Sequence, residues 1–132
     1  VTALVDSSAW VDFIRATETF VHHQVVRLLR VDEAATTDAV MFEVVGGGRS
    51  TFEAGQLLGL LDRCDYLAQM PREDVLAAVD LYRYCRGAGE TVRSLNDCLI
   101  AAVAIRNDVP VLHRDKDFDV IARHTTLRVV QP

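Results

Sequence analysis

Asp6, Glu43, Asp97 and Asp115 are the residues whose type and surroundings point to chemistry. Each stands beside an apolar stretch. Asp6 ends the run at 3–5, Glu43 interrupts the run at 39–45, and Asp97 sits at the mouth of the run at 98–105. Asp115 opens the cluster Asp115-Lys116-Asp117-Phe118-Asp119 after a short apolar segment. A carboxylate taken out of water without a partner is costly, and Asp is seldom fully buried unless paired or metal-bound. Acids gathered at one place also repel one another unless a cation offsets them. Hard oxygen ligands with no His or Cys among them suit Mg²⁺ or Mn²⁺ and not Zn²⁺. Each acid also has a purely structural reading: Asp6 in a turn, Asp115 as a helix cap, Asp117 as a first-turn acid, Glu43 on an outer helix face. Asp97 stands three residues after Ser94, the spacing of a capping box.

A strand edge would gather these acids. Residues 3–5 read as a buried parallel strand. Ser7 or Ser8 can cap a following helix with Trp10, Phe13 and Ile14 on one face, which leaves Asp12 to solvent. A second helix is predicted over 20–30, carrying Val21, Val25, Leu28 and Leu29. The adjacent His22 and His23 cannot share a helix face and are read as surface residues. Residues 34–37 make a second strand, and Thr37 or Asp38 caps the helix holding Glu43. Gly46-Gly47-Gly48 stops that helix and lacks the spacing of a phosphate-cradling loop.

Further on, Leu57, Leu60, Leu61 and Cys64 form a packing stripe on a helix over 51–64, and 65–69 predicts a third strand. Pro71 suits the first turn of a helix with Glu73 and Asp74 near its positive end. Val75, Val79, Tyr82 and Cys85 are its expected buried stripe, and Gly87-Ala88-Gly89 closes it. A central helix over 94–105 is greasy all round and therefore buried. A strand at 110–112, a short helix over 115–123 and a last strand at 127–130 complete the chain. The alternation predicts one α/β domain over 1–132, three-layered α/β/α, around a central, mostly parallel sheet. Such sheets bind ligands beyond the carboxyl ends of their strands.

With 132 residues, 50% hydrophobic and 25% charged, the chain has the composition of one globular domain. A net charge of −5 excludes a generally basic nucleic-acid-binding surface, but not an enzyme whose acids hold metal. Cys64, Cys85 and Cys98 form no C-x-x-C pair and read as reduced core residues of a cytoplasmic protein. No uncharged stretch reaches membrane-spanning length, and no basic segment leads into an apolar run, so neither secretion nor membrane insertion is expected.

The ordered segments D-S-S-A-W from Asp6, T-T-D-A-V-M-F-E-V-V-G around Glu43, L-N-D-C-L-I-A-A-V-A around Asp97 and V-L-H-R-D-K-D-F-D-V-I-A around Asp115 resemble the PIN domain. More closely they resemble VapC toxins of bacterial toxin–antitoxin pairs. By position the resemblance implies Asp6, Glu43, Asp97 and Asp115 as the catalytic, metal-holding quartet, Asp117 as an accessory acid, and Ser8 as the small hydroxyl that supports the site. It implies an Mg²⁺-dependent endoribonuclease, with Mn²⁺ able to substitute, that hydrolyses RNA by metal-activated water and leaves 5′-phosphate and 3′-hydroxyl ends. It also implies a VapB-type antitoxin partner and a homodimer. Arg49, Arg114 and Lys116 are candidates to grip RNA phosphates, or else ordinary solvated charges. His113 departs from the pattern, where many relatives carry Thr.

Three rivals bear on the same acids. An aspartate-nucleophile phosphatase wants an acid two residues after Asp6, where Ser8 stands. A receiver domain needs an early acid pair and a late Lys. A catalytically idle PIN-like binding module, acting through protein or RNA contacts, would have no need of all four acids.

Overall fold

The computed structural model describes residues 2–132. Its sheet has four strands: β1 (Ala3–Val5), β2 (Ala34–Thr36), β3 (Asp65–Tyr66) and β4 (Val111–Leu112). The order is β3-β2-β1-β4 and every pairing is parallel, with Ala3 opposite Ala34, Leu4 opposite Val111 and Ala35 opposite Asp65. β1 and β4 read as continuous apolar runs because both faces of the sheet are covered, and their residues are fully buried. The chain winds outward from β1 to β2 and β3, then returns to place β4 on the other side of β1. That reversal opens a crevice at the carboxyl ends of β1 and β4.

Among the described residues seven helices complete the α/β/α arrangement: α1 (Ser7–Ile14), α2 (Phe20–Arg30), α3 (Asp38–Gly46), α4 (Thr51–Leu61), α5 (Glu73–Gly87), α6 (Leu95–Arg106) and α7 (Lys116–His124). α1 packs on α2 and α3, while α5, α6 and α7 pack on one another. Trp10 is wholly buried and meets Phe13 edge-on, ring centroids 5.8 Å apart. α6 is the central helix that its composition predicts: Cys98 and Ile100 through Ala104 are all buried. None of the helices among the described residues is long and apolar enough to cross a membrane.

The structure corrects several expectations. Asp6 itself caps α1, accepting from the Ser8 N–H, so Ser7 and Ser8 lie in the first turn. Asp12 is not solvated; it is buried and ion-paired with Arg114. Val75 and Val79 are exposed on α5, whose buried residues are Asp74, Ala78 and Cys85. The helix turns a charged residue inward there because Arg106 of α6 satisfies it, with Nε and Nη2 donating to Asp74 at 2.9 and 2.8 Å. α5 begins at Glu73 and not at Pro71. The third strand spans two residues because Leu67 N–H bonds the Thr36 carbonyl and the chain then leaves the sheet. The expected strand at 127–130 amounts to one parallel bridge between Val111 and Val129. α4 stops at Leu61, which leaves Cys64 half-buried in the following turn.

Candidate active site

Four acids arrive at the β1–β4 crevice from four elements. Asp6 follows β1 directly, and its N–H donates to the Leu112 carbonyl, which ties the two strand ends together at 3.0 Å. Asp115 stands three residues beyond β4 and caps α7 by accepting the Asp117 N–H at 2.9 Å. Asp97 lies in the first turn of α6, where the helix dipole favours an anion. Glu43 comes from the middle of α3, and its Oε1 accepts from Ser7 Oγ at 3.2 Å.

Carboxylate oxygens of Asp97, Asp115 and Asp117 all lie within 4.8 Å of one another. Asp6 is electrostatically coupled to both Asp97 and Asp115, and Glu43 to Asp6 and Asp115. The structure thus groups Asp97 and Asp115 with Asp117, which the sequence reads as an accessory acid, and sets Asp6 and Glu43 within electrostatic reach of them. Asp117 also has a structural role. Its two oxygens accept the backbone N–H groups of Arg93 and Ser94 at 3.0 and 2.9 Å, which anchors the mouth of α6. Ser94 makes no side-chain cap, so the capping-box reading of Ser94 and Asp97 does not apply.

The electrostatics are those of crowded, partly buried acids. Burial, then the charges of Asp6 and Asp115, push the Asp97 carboxyl up to about 9. Asp6 is also raised, first by burial, against the hydrogen bonds from the Ser8 hydroxyl (2.6 Å) and N–H (3.0 Å). Glu43 is raised by burial and by the charge of Asp6. His113 is lowered by burial; its Nδ1 accepts the Asp115 N–H. Asp6 Oδ1 and Asp97 Oδ2 are buried with no hydrogen-bond donor. Lone pairs left bare in this way cost free energy that a cation would recover. With an all-oxygen donor set, the residues fit a hard divalent ion such as Mg²⁺ or Mn²⁺.

The chain matches the PIN domain family over residues 3–124. It is 43% identical over 127 residues to VapC ribonuclease Mb1587 of Mycobacterium bovis and to ribonuclease VapC11 of Mycobacterium tuberculosis, with 95% of each chain covered. It belongs to the VapC family of PIN-domain ribonucleases. Solved structures of like fold include VapBC2 from Rickettsia felis bound to a promoter DNA fragment (TM-score 0.73, 16% identity, 98% of each chain). Another is the sarcin–ricin-loop-cleaving toxin VapC20 of Mycobacterium tuberculosis, with TM-score 0.66 and 17% identity over 96% of this chain and 99% of that one.

Of the basic residues singled out in the sequence, Arg49 and Lys116 are exposed beside the acids, and both line clefts that open on the site. Arg114 is different: its guanidinium is turned away onto Asp12. Ser7, which hydrogen-bonds Glu43, and Asn96, which lowers the Glu43 carboxyl pKa against its burial, belong to the site without being marked as such by the sequence. Their adjacency to Asp97 and Asp6 was the available signal.

Proposed function

We propose that this VapC protein is the endoribonuclease toxin of a VapBC pair and that it hydrolyses RNA phosphodiesters with Mg²⁺, or Mn²⁺ in its place. The observation that carries the metal reading is the pair of buried, unpartnered oxygens, Asp6 Oδ1 and Asp97 Oδ2, beside the Asp115 and Asp117 carboxylates.

Asp6, Asp97 and Asp115 would hold the cation, with Glu43 at the rim. A cation held there would acidify water to a usable nucleophile near neutral pH and would offset the charge of the phosphate. Ser8 orients Asp6 through its hydroxyl, and Asp117 fixes the backbone at the mouth of α6 so that Asp97 faces the crevice. Glu43, more accessible than Asp97 and raised in pKa, is the group placed to take a proton from the attacking water. Arg49 and Lys116 are positioned to hold flanking phosphates. The products carry 5′-phosphate and 3′-hydroxyl ends.

The partner is a VapB-type antitoxin, as in the VapBC-5 complex of Mycobacterium tuberculosis, whose toxin shares this fold. A cleft of about 210 Å³ between α1, α3 and α4 has an apolar wall of Trp10, Val11, Ile14 and Leu57 and has Glu43 at its edge. It suits an amphipathic segment that reaches toward the acids. The toxin itself acts as a homodimer in the cytoplasm.

Cleavage of total cellular RNA by antitoxin-free protein tests this reading. Discrete cuts are expected with Mg²⁺ or Mn²⁺, lost in EDTA and lost in Asp97→Asn. Cutting that survives Asp97→Asn would refute the site. An absence of cutting by folded, metal-binding protein would favour the idle binding module.

A further inference from the structure

We propose that Asp12 and Arg114 are a positioning pair that sets the spacing of Asp6 and Asp115, and with it the affinity of the acidic centre for a divalent cation. This rests on the reading of that centre as a metal site.

The pair belongs to a continuous chain of contacts. Ser8 and Asp12 lie four residues apart on α1, hence on one face of it. Arg114 is tied to both. Its backbone N–H donates to Ser8 Oγ at 2.9 Å, and its Nη1 donates to Asp12 Oδ1 and Oδ2 at 3.0 and 2.9 Å. Ser8 Oγ in turn donates to Asp6 Oδ2 at 2.6 Å. On the other side of Asp12, Thr19 Oγ1 at the start of α2 donates to Oδ2 at 3.0 Å. The Asp12 side chain is 9% exposed, against 54% for Arg114. Asp12 is thus a buried carboxylate whose three side-chain hydrogen bonds all run to Arg114 or Thr19, outside the acidic cluster.

Mechanics give this chain its purpose. The ladder between β1 and β4 ends with Val5 opposite Leu112, and Asp115 lies three residues beyond it. Repulsion between Asp6 and Asp115 acts to part the strand ends there. Arg114, the residue immediately before Asp115, is fastened at two points to the helix that Asp6 begins. Opening the crevice therefore means breaking a half-buried ion pair and the Ser8 bond together. Arg is suited to the task because it is permanently charged, and its Nη1 alone donates to both carboxylate oxygens of Asp12. A guanidinium held in this way has its charge offset by Asp12, which separates Arg114 from the exposed Lys116 and Arg49.

The test compares Mn²⁺ binding, by calorimetry or by the free-ion electron paramagnetic resonance signal, in wild type, Asp12→Asn, Arg114→Gln and the double variant. Each single substitution is expected to weaken Mn²⁺ about 10–100-fold, the range for groups that orient metal ligands. The double variant should be no weaker than the worse single one, because the two residues act as a unit. RNA cleavage should fall in kcat with KM unchanged, and Arg114→Lys should recover part of the Mn²⁺ affinity. If Asp12→Asn does not fold, Arg114→Gln removes the half-exposed partner and decides alone. Wild-type Mn²⁺ affinity in folded variants overturns the inference. So does a raised KM with flattened salt dependence in Arg114→Gln, which is the signature of a phosphate contact. Wild type that binds no Mn²⁺ overturns the metal reading itself and this inference with it.

Discussion

Asp6 and Asp97 each bury one carboxylate oxygen without a hydrogen-bond donor, and the charge of Asp6 is among the forces that raise the Asp97 pKa. They reach this relationship from a strand end and a helix start 91 residues apart in sequence. The free energy stored there sets how the protein responds to pH and to metal.

Stability without metal should fall as pH rises. An unfolded Asp97 releases its proton near its ordinary 3.8, whereas the folded one holds it to about 9. Between those values the folded state binds more protons, so this contribution is complete below 3.8 and lost as pH rises through 9. Cation binding requires the deprotonated acid and reverses the trend. Melting curves in EDTA should drift down from about pH 5 to about pH 9, and Mg²⁺ should raise Tm most at the alkaline end. A Tm that rises over this range in EDTA would show that the carboxyl is not buried as described.

Asp97→Asn keeps the side chain's shape and removes a carboxyl that the folded protein without metal must hold protonated at neutral pH. In EDTA at neutral pH this variant should be more stable than wild type by about 0.5–2 kcal/mol, the usual gain when a strained functional group is relieved. It should gain nothing from Mg²⁺ and should not cut RNA. Denaturant melts with and without Mg²⁺ measure both effects; equal Mg²⁺ stabilisation in variant and wild type would remove Asp97 from the metal set.

The Asp74–Arg106 pair predicts a stability effect unconnected with the site. Asp74 is buried and accepts from Arg106 Nε and Nη2 and from the Met70 N–H. Arg106→Met strands that carboxylate at a cost of about 3 kcal/mol, the low end for a buried pair because Arg106 keeps a third of its surface in water. The guanidinium holds Asp74 below its ordinary 3.8, so the contribution is present above that pH and fades as pH falls. Cleavage per folded molecule should be unchanged; lost cleavage at full folding would tie α5 to the chemistry.

RNA binding should report which cations touch phosphate. In an Asp97→Asn background, Lys116→Ala or Arg49→Ala should each weaken RNA binding and reduce the slope of log K against log salt by about 0.7, the value for one single-strand contact. Arg114→Gln should leave the slope where it was. An unchanged slope in all three variants would place the RNA elsewhere.

Much of this protein was legible in its residues alone. The apolar runs at β1, β4 and α6 are continuous because those elements are covered on all sides, and composition alone reveals that. An acid set against such a run is therefore conspicuous, and Asp6, Asp97 and Asp115 could be named before any contact was known. Gly87-Ala88-Gly89 ends α5 with Gly89 at φ +92°, a conformation that favours glycine, whereas Gly46-Gly47-Gly48 ends α3 in ordinary helical backbone, with Gly47 at φ −81°.

Only the tertiary structure decided what each charged side chain faces. Asp12 reads as solvated, yet Arg114, 102 residues away, buries it. Arg114 reads as a phosphate grip or a solvated charge, and that same contact with Asp12 occupies it instead. Val75 and Val79 read as core until Arg106 draws Asp74 inward and turns α5 about its axis. Periodicity and composition are local properties, and they determine which segments become helix or strand and which are buried. A charge is placed by its partner, and the partner is brought near by the strand order β3-β2-β1-β4, which no local pattern encodes.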